Sequence, residues 1–176
     1  MKTISNVALS VILILTISSC KRIFEDEELS MKRTDYTGDE LRTDGYYYWK
    51  SLNPEENQQY NAEMKILYRN GVFITSTRFG FTIMEKKEND FKNGEFYSFV
   101  KEYKTQWGVY KISNNTICFE GWEYNSPGGK ITYTEKGEIL NDTTFRIYDG
   151  KDKEHDWIYH FKQFSPKPDS TNNFIK

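Results

Sequence analysis

Met64-Lys65-Ile66-Leu67-Tyr68-Arg69-Asn70-Gly71-Val72-Phe73-Ile74-Thr75-Ser76-Thr77 sets two short, strand-forming runs on either side of Asn-Gly. A two-residue hairpin loop needs positive φ at both central positions, and Asn-Gly tolerates it, so this stretch reads as two antiparallel strands joined by a tight turn. The same pattern continues downstream. Asn114-Asn115 separates Trp107–Ser113 from Thr116–Tyr124, Ser126-Pro127-Gly128-Gly129 turns the chain into Lys130–Lys136, and Glu138–Leu140 continues past Gly137. Asn141-Asp142 leads into Thr143–Asp149, and the charged loop Lys151–Asp156 precedes Trp157–Phe164. Tyr46–Trp49 and Gly80–Met84 also read as strands, whereas Glu85–Lys104 is too charged for a core strand and reads as a loop or short helix over one end of the sheet.

Short strands joined by tight turns predict an all-β antiparallel meander, and closing it into a barrel removes the exposed edges. Alternation agrees with half-buried strands: Ile117 and Phe119 share one face, Trp122 and Tyr124 the other, and Phe145 and Ile147 share a face. Rings on both faces suit a β-barrel with an apolar interior and a partly covered exterior; a flattened sandwich is the alternative. The composition supports a folded chain. Mean hydropathy is −0.78, a value typical of disorder, but aromatics make up 16% of the 176 residues. Disordered chains are poor in aromatics, and each buried ring removes about 150–250 Å² from water. The net charge of −2 is too mild to imply nucleic acid or an anionic membrane surface as a partner.

The N-terminus carries a different signal. Lys2 is followed by Val7–Ile17, an uncharged run of 11 residues, too short for the roughly 20 that span a bilayer as a helix. It reads as the helix of a cleaved export signal. Ile17-Ser18-Ser19-Cys20 resembles the lipobox of bacterial lipoproteins. The resemblance implies that the thiol of Cys20 takes a diacylglyceryl group and that the chain is cut before it, with a further acyl chain such as palmitate on the new amine. At about 0.8 kcal/mol per buried CH₂, two or three chains anchor stably where one does not. The expected organisation is a signal peptide at 1–19, the lipidated cysteine and a polar tether at 20–40, the β-barrel at 41–164 and a flexible tail at 165–176. The expected location is the cell envelope, lipid-anchored at the outer membrane, facing the periplasm or the surface.

With Cys20 lipidated, Cys118 has no partner for an intramolecular disulfide, and its strand-like setting reads as a buried, inert thiol. His155 and His160 lack the spacing of a metal-binding helix motif, so neither metal nor other cofactor is expected. Glu120 and Glu123, flanking Trp122, are the one carboxylate pair with any appeal for general acid–base work, but in a regular strand they point to opposite faces. The chain is expected not to be an enzyme.

Trp107-Gly108-Val109-Tyr110, the Asn114-Asn115 turn and Gly137-Glu138-Ile139-Leu140-Asn141-Asp142-Thr143-Thr144-Phe145 resemble small lipocalin-like lipoproteins of Gram-negative bacteria, over roughly Leu41 to Phe164. The Gly-x-Trp of lipocalins proper is absent, since Gly45 is followed by Trp49 four residues on. The resemblance implies a lipocalin-like barrel holding a small apolar or amphipathic ligand. Trp49, Trp107 and Trp122 are the rings expected to meet it, with Tyr47 supplying a hydroxyl. The alternatives are an envelope protein that docks or inhibits another protein through the Ser126–Gly129 turn and the Lys151–Asp156 loop, or a surface-glycan binder using stacked aromatics.

Overall fold

The computed structural model describes residues 25–53, 59–76, 79–80, 84–126, 128–148 and 156–176. The leader, Cys20, Pro127 and Lys151–His155 lie outside these. The strands are β1 (Gly45–Asn53), β2 (Gln59–Leu67), β3 (Val72–Thr75), β4 (Phe79–Gly80), β5 (Trp107–Ser113), β6 (Thr116–Tyr124), β7 (Lys130–Asn141), β8 (Thr144–Ile147) and β9 (Trp157–Gln163). Every pairing is antiparallel. Apart from the two-residue β4, which adds to β2, each strand pairs with its sequence neighbours around the sheet, and β1 closes the ring by pairing with both β2 and β9. The fold is therefore an eight-stranded up-and-down barrel. Tyr47 marks the seam, facing Lys65 on one side and Phe161 on the other.

Turn chemistry produced the register. Gly71 has φ +77° and Asn114 φ 54°, placing both hairpins at the Asn-containing positions read from sequence. Gly71 is needed twice over, because a Cβ there would lie 2.1 Å from the carbonyl oxygen of Thr34, where the N-terminal segment crosses the turn. Of the expected strand over Gly80–Met84, Gly80 belongs to β4 and Met84 begins a helix, while residues 81–83 lie outside the described ones. Glu85–Lys104 resolves into helices α1 (Met84–Asn93) and α2 (Glu95–Glu102) with a short 3₁₀ turn, Lys104–Gln106.

Two apolar clusters result, one on each side of the sheet. Inside, Phe119 meets Phe73 at 5.0 Å and Phe145 at 5.7 Å, while Phe145 stacks on Tyr159 at 4.8 Å and contacts Tyr47 at 5.0 Å between ring centroids. All five are fully buried, each contributing about 1.5–3 kcal/mol through burial. Gly108, facing inward from β5, makes the room: a Cβ there would lie 2.3 Å from the Phe73 ring. Outside, Tyr46, Met64, Ile66, Val72, Ile74, Trp107, Val109 and Trp122 form an apolar belt covered by Phe91 of α1, Val100 of α2 and both chain ends.

The chain ends depart from their expected roles. Residues 25–40, read as tether, and 165–176, read as flexible tail, pack on the barrel. Leu29, Met31, Phe174 and Ile175 supply apolar contact that the polar composition of these segments conceals. The N-terminal segment is pinned by Glu120, which points outward and is buried. Its carboxylate accepts hydrogen bonds from the backbone N–H of Ser30 (2.9 Å), the Ser30 hydroxyl (2.8 Å) and the Met31 N–H (2.5 Å). The tail is held in turn by Tyr68, whose hydroxyl donates to the Pro168 carbonyl at 2.6 Å.

Candidate ligand-binding site

The two ends of the barrel differ. At one end lie the hairpin turns Tyr68–Gly71, Ser113–Thr116 and Asn141–Thr144. There the segment before β1 crosses beneath the strands and plugs the opening. Leu41 is fully buried, Tyr36 packs on Tyr110 at 5.9 Å, and the Tyr36 hydroxyl accepts from the Leu41 N–H at 2.8 Å. Lys167 tightens the seal by donating to the carbonyls of Thr43 and of Leu67, the latter at 3.1 Å. Burial pushes its amine down to about 8.

The other end is open. A cavity of about 940 Å³ enters there, lined by Glu63, Thr75, Tyr133, Glu135, Ile147 and Trp157 among others, and edged by Trp122, Tyr124 and Tyr148. Its floor is a charged layer resting on the aromatic plug. Lys65 points inward from β2 and is 1% exposed. Its ammonium lies 2.8 Å from Glu63 Oε1 and 3.0 Å from Glu135 Oε2. It also lies 5.3 Å from the centre of the Phe119 ring, with Phe73 and Tyr159 each at 5.5 Å, within the range at which a ring face attracts a cation. Glu63 Oε1 further accepts from the Tyr159 hydroxyl at 2.9 Å and the Thr75 hydroxyl at 3.2 Å.

Within this layer Lys65 and Glu63 hold each other in the charged form. Burial by itself would neutralise Lys65, but the carboxylates of Glu63 and Glu135 outweigh it and hold the ammonium well above the usual lysine value. Burial likewise raises Glu63, but the charge and hydrogen bond of Lys65, with the two hydroxyl donors, leave it below the usual carboxylate range. Burial pushes the phenols of Tyr133 and Tyr159 up, so both stay protonated and able to donate. One cation against two carboxylates leaves a surplus negative charge at the floor, and both carboxylates keep some exposure to the cavity (15% and 19%).

The four residues expected to meet a ligand do not converge. Tyr47 faces inward but is sunk in the plug, its hydroxyl spent on the carbonyls of Arg42 (3.1 Å) and Asp142 (3.0 Å). Trp49 faces inward and stacks on Trp157 at 6.0 Å, behind the cavity wall. Trp107 points outward, its indole N–H donating to the Val100 carbonyl at 2.7 Å. Trp122 also belongs to the outer belt, donating to the Glu27 carbonyl at 2.7 Å, though its ring edges the mouth. Glu120 and Glu123 diverge as alternation required: Glu120 pins the N-terminal segment, while Glu123 is exposed at the mouth. Cys118 is half-buried rather than buried, and His160 is exposed on β9. Among the described residues no group of histidine, cysteine and carboxylate side chains could hold a metal ion, and no helix is long and apolar enough to cross a membrane.

No family model matches the chain, and neither a curated protein nor a solved structure matches it.

Proposed function

We propose that this chain is a lipid-anchored, non-catalytic binding protein of the bacterial cell envelope, holding one small amphipathic ligand in the open half of its barrel. One observation carries the reading: the barrel is filled with rings only to the level of Lys65, and above that level a cavity of about 940 Å³ stands open. That volume is in the range of small-molecule sites, which combine apolar walls with a few placed polar groups. Tyr133, Ile147 and Trp157 supply apolar wall, while Glu63 and Glu135 supply acceptors at the floor. The surplus negative charge favours a ligand whose polar head donates hydrogen bonds or carries positive charge, with its apolar part toward the mouth. A non-catalytic role is supported by the ion pairing of the floor, since the Lys65 ammonium is held above its ordinary value and the Glu63 carboxylate below its own, each away from the range suited to proton transfer. The anchor rests on the lipobox-like Ile17-Ser18-Ser19-Cys20.

The test is native mass spectrometry of residues 21–176 purified gently from a bacterial lysate, compared with the denatured mass. The reading expects an added mass that denaturation releases and that Glu135→Gln diminishes. A bare polypeptide mass, together with no binding from a panel of amphiphilic amines, alcohols and fatty acids, overturns it.

A further inference from the structure

The described chain enters the fold at the rim of the open end. Asp26 pairs with Lys104 at 3.2 Å and Lys130 at 3.4 Å, and the Glu27 N–H donates to the Lys130 carbonyl at 2.8 Å. Lys130 is the first residue of β7 and stands at the mouth. From there the segment runs down the outside of the barrel, past Glu120 at Ser30, to the sealed end, where the Tyr36 N–H donates to the Arg69 carbonyl at 2.7 Å. The N-terminal attachment therefore leaves from the mouth and not from the seal.

The rim also carries the surface that lipid recognises. Among the described residues the exposed large apolar side chains include Tyr103 and Tyr124 toward the open end, Tyr148 part-way down the wall, where its hydroxyl donates to Glu138, and Leu140 beside the seal. Tyr124, the most exposed at 66%, has the Lys130 ammonium 6.0 Å from its ring centre, and Lys104, which shares Asp26 with Lys130, stands nearby. Tyrosines with flanking lysines suit the boundary between hydrocarbon and water, where the ring is apolar and the hydroxyl stays wet. Charge does not separate the ends: the segment crossing the sealed end presents Asp35, Asp39 and Glu40 beside Lys32 and Arg33, and the mouth has exposed acids of its own in Glu25, Glu27 and Glu123.

Reach decides between the orientations. Cys20 is five residues from Glu25, so a fully extended leash spans about 18 Å. The nine residues of β6 run from the sealed end to the mouth, a length of about 30 Å. A leash fixed at the mouth is thus too short to turn the sealed end toward the membrane, and the tyrosines select mouth-down over side-on.

We propose that the open mouth seats on the bilayer holding the Cys20 anchor, so that the cup fills from the lipid phase rather than from bulk water. This rests on the lipid-anchored reading above, and the test separates the two. The full lipid-bearing protein, in a Cys118→Ser background, is given one labelling cysteine, either Tyr124→Cys at the mouth or Leu140→Cys near the seal. Each carries a small environment-sensitive fluorophore and is reconstituted into vesicles of phosphatidylethanolamine and phosphatidylglycerol. Intact mass first establishes acylation of Cys20; an unacylated chain overturns the anchor and this proposal with it, leaving the pocket untouched. Headgroup-nitroxide lipids should then quench the label at 124 at least threefold more than the label at 140. Equal quenching, stronger quenching at 140, or quenching at neither overturns the orientation, whatever the native mass shows about a ligand. Circular dichroism checks that both labelled proteins keep the barrel.

Discussion

The sealed and open halves of the barrel are made from the same alternation, yet one is packed to solidity and the other is left as a cup. Below Lys65 rings and aliphatic chains fill the interior around the inward glycines Gly108 and Gly137, and Tyr36 and Leu41 close what the strands leave. Above it polar side chains join the apolar wall, with Glu63 and Thr75 on one side, Tyr133 and Glu135 on the other, and Ile147 and Trp157 between. Packing thus serves stability at one end, and its absence makes room for chemistry at the other. Lys65 is the boundary. Its lower side rests on three rings and its ammonium on two carboxylates, so it belongs to both halves.

The sharpest way to break this division is from below. Phe145→Ala removes a ring that touches Tyr47, Phe119 and Tyr159, and should cost about 3–5 kcal/mol in urea unfolding. A cost under about 1 kcal/mol would show that the plug is not the stabilising core. At the boundary, Lys65→Met leaves Glu63 and Glu135 facing each other without a cation, which should cost about 3 kcal/mol at neutral pH. Adding Glu63→Gln should recover part of that loss; no recovery would mean that the lysine's stem matters more than its charge.

The two halves also separate on a pH axis. Glu63 titrates below its unfolded value, so its contribution is complete above about pH 4.5 and is lost as pH falls through the depressed value. Glu63→Gln should therefore flatten the acid limb of stability against pH. Lys167 has the opposite logic. Its folded pKa of about 8 lies below the ordinary 10.5, so the folded state binds fewer protons and stability rises with pH from about 8 upward. Lys167→Met should reduce that rise between pH 8 and about 9.5, before the tyrosines begin to titrate; an unchanged slope would place its amine in water.

Smaller effects refine the picture. Glu120→Gln keeps one acceptor for the N-terminal segment and loses the charge, about 1.5 kcal/mol. Hydrogen exchange should quicken over Ser30–Tyr36 and leave β2 unchanged. Trp157→Phe trims the cup wall and its stack on Trp49 for about 1 kcal/mol, while the ligand mass in native spectra should fall well out of proportion. Loss of both in proportion would mean that the cup wall is only core.

Much of the fold was legible because it is written in local turn chemistry. Asn70-Gly71, Asn114-Asn115 and Asn141-Asp142 each joined the strands they predicted. The site was less legible because a period of two says which residues share a face and not which face is inside. In β2, Ala62, Met64 and Ile66 alternate with Glu63, Lys65 and Leu67, and the apolar set suggests a core-facing side. The structure puts it outside, beneath helices and chain ends, and turns the charged set inward. The single clue was Leu67, which shares a face with both charges and pairs across the hairpin with Phe73. Trp107 and Trp122 were misplaced for the same reason: an outer belt under cover is as aromatic as an interior. The packed chain ends were hidden by composition, since a few apolar side chains, Leu29, Met31, Tyr36, Phe174 and Ile175 among them, dock segments that are otherwise polar.

The seam between β1 and β9 gives the barrel a history as well as a shape. β1 finds β2 at once, but its other partner is the last strand to be made, roughly a hundred residues after β2 ends. At about 5–20 residues per second of synthesis, that edge waits some 5–20 s for its mate. Throughout that interval Tyr46–Tyr48 offers an unsatisfied row of peptide groups to any other extended chain. A molecule so built is most exposed to misassembly while it is nearly finished, and its final strand is the one whose truncation would leave everything before it unguarded.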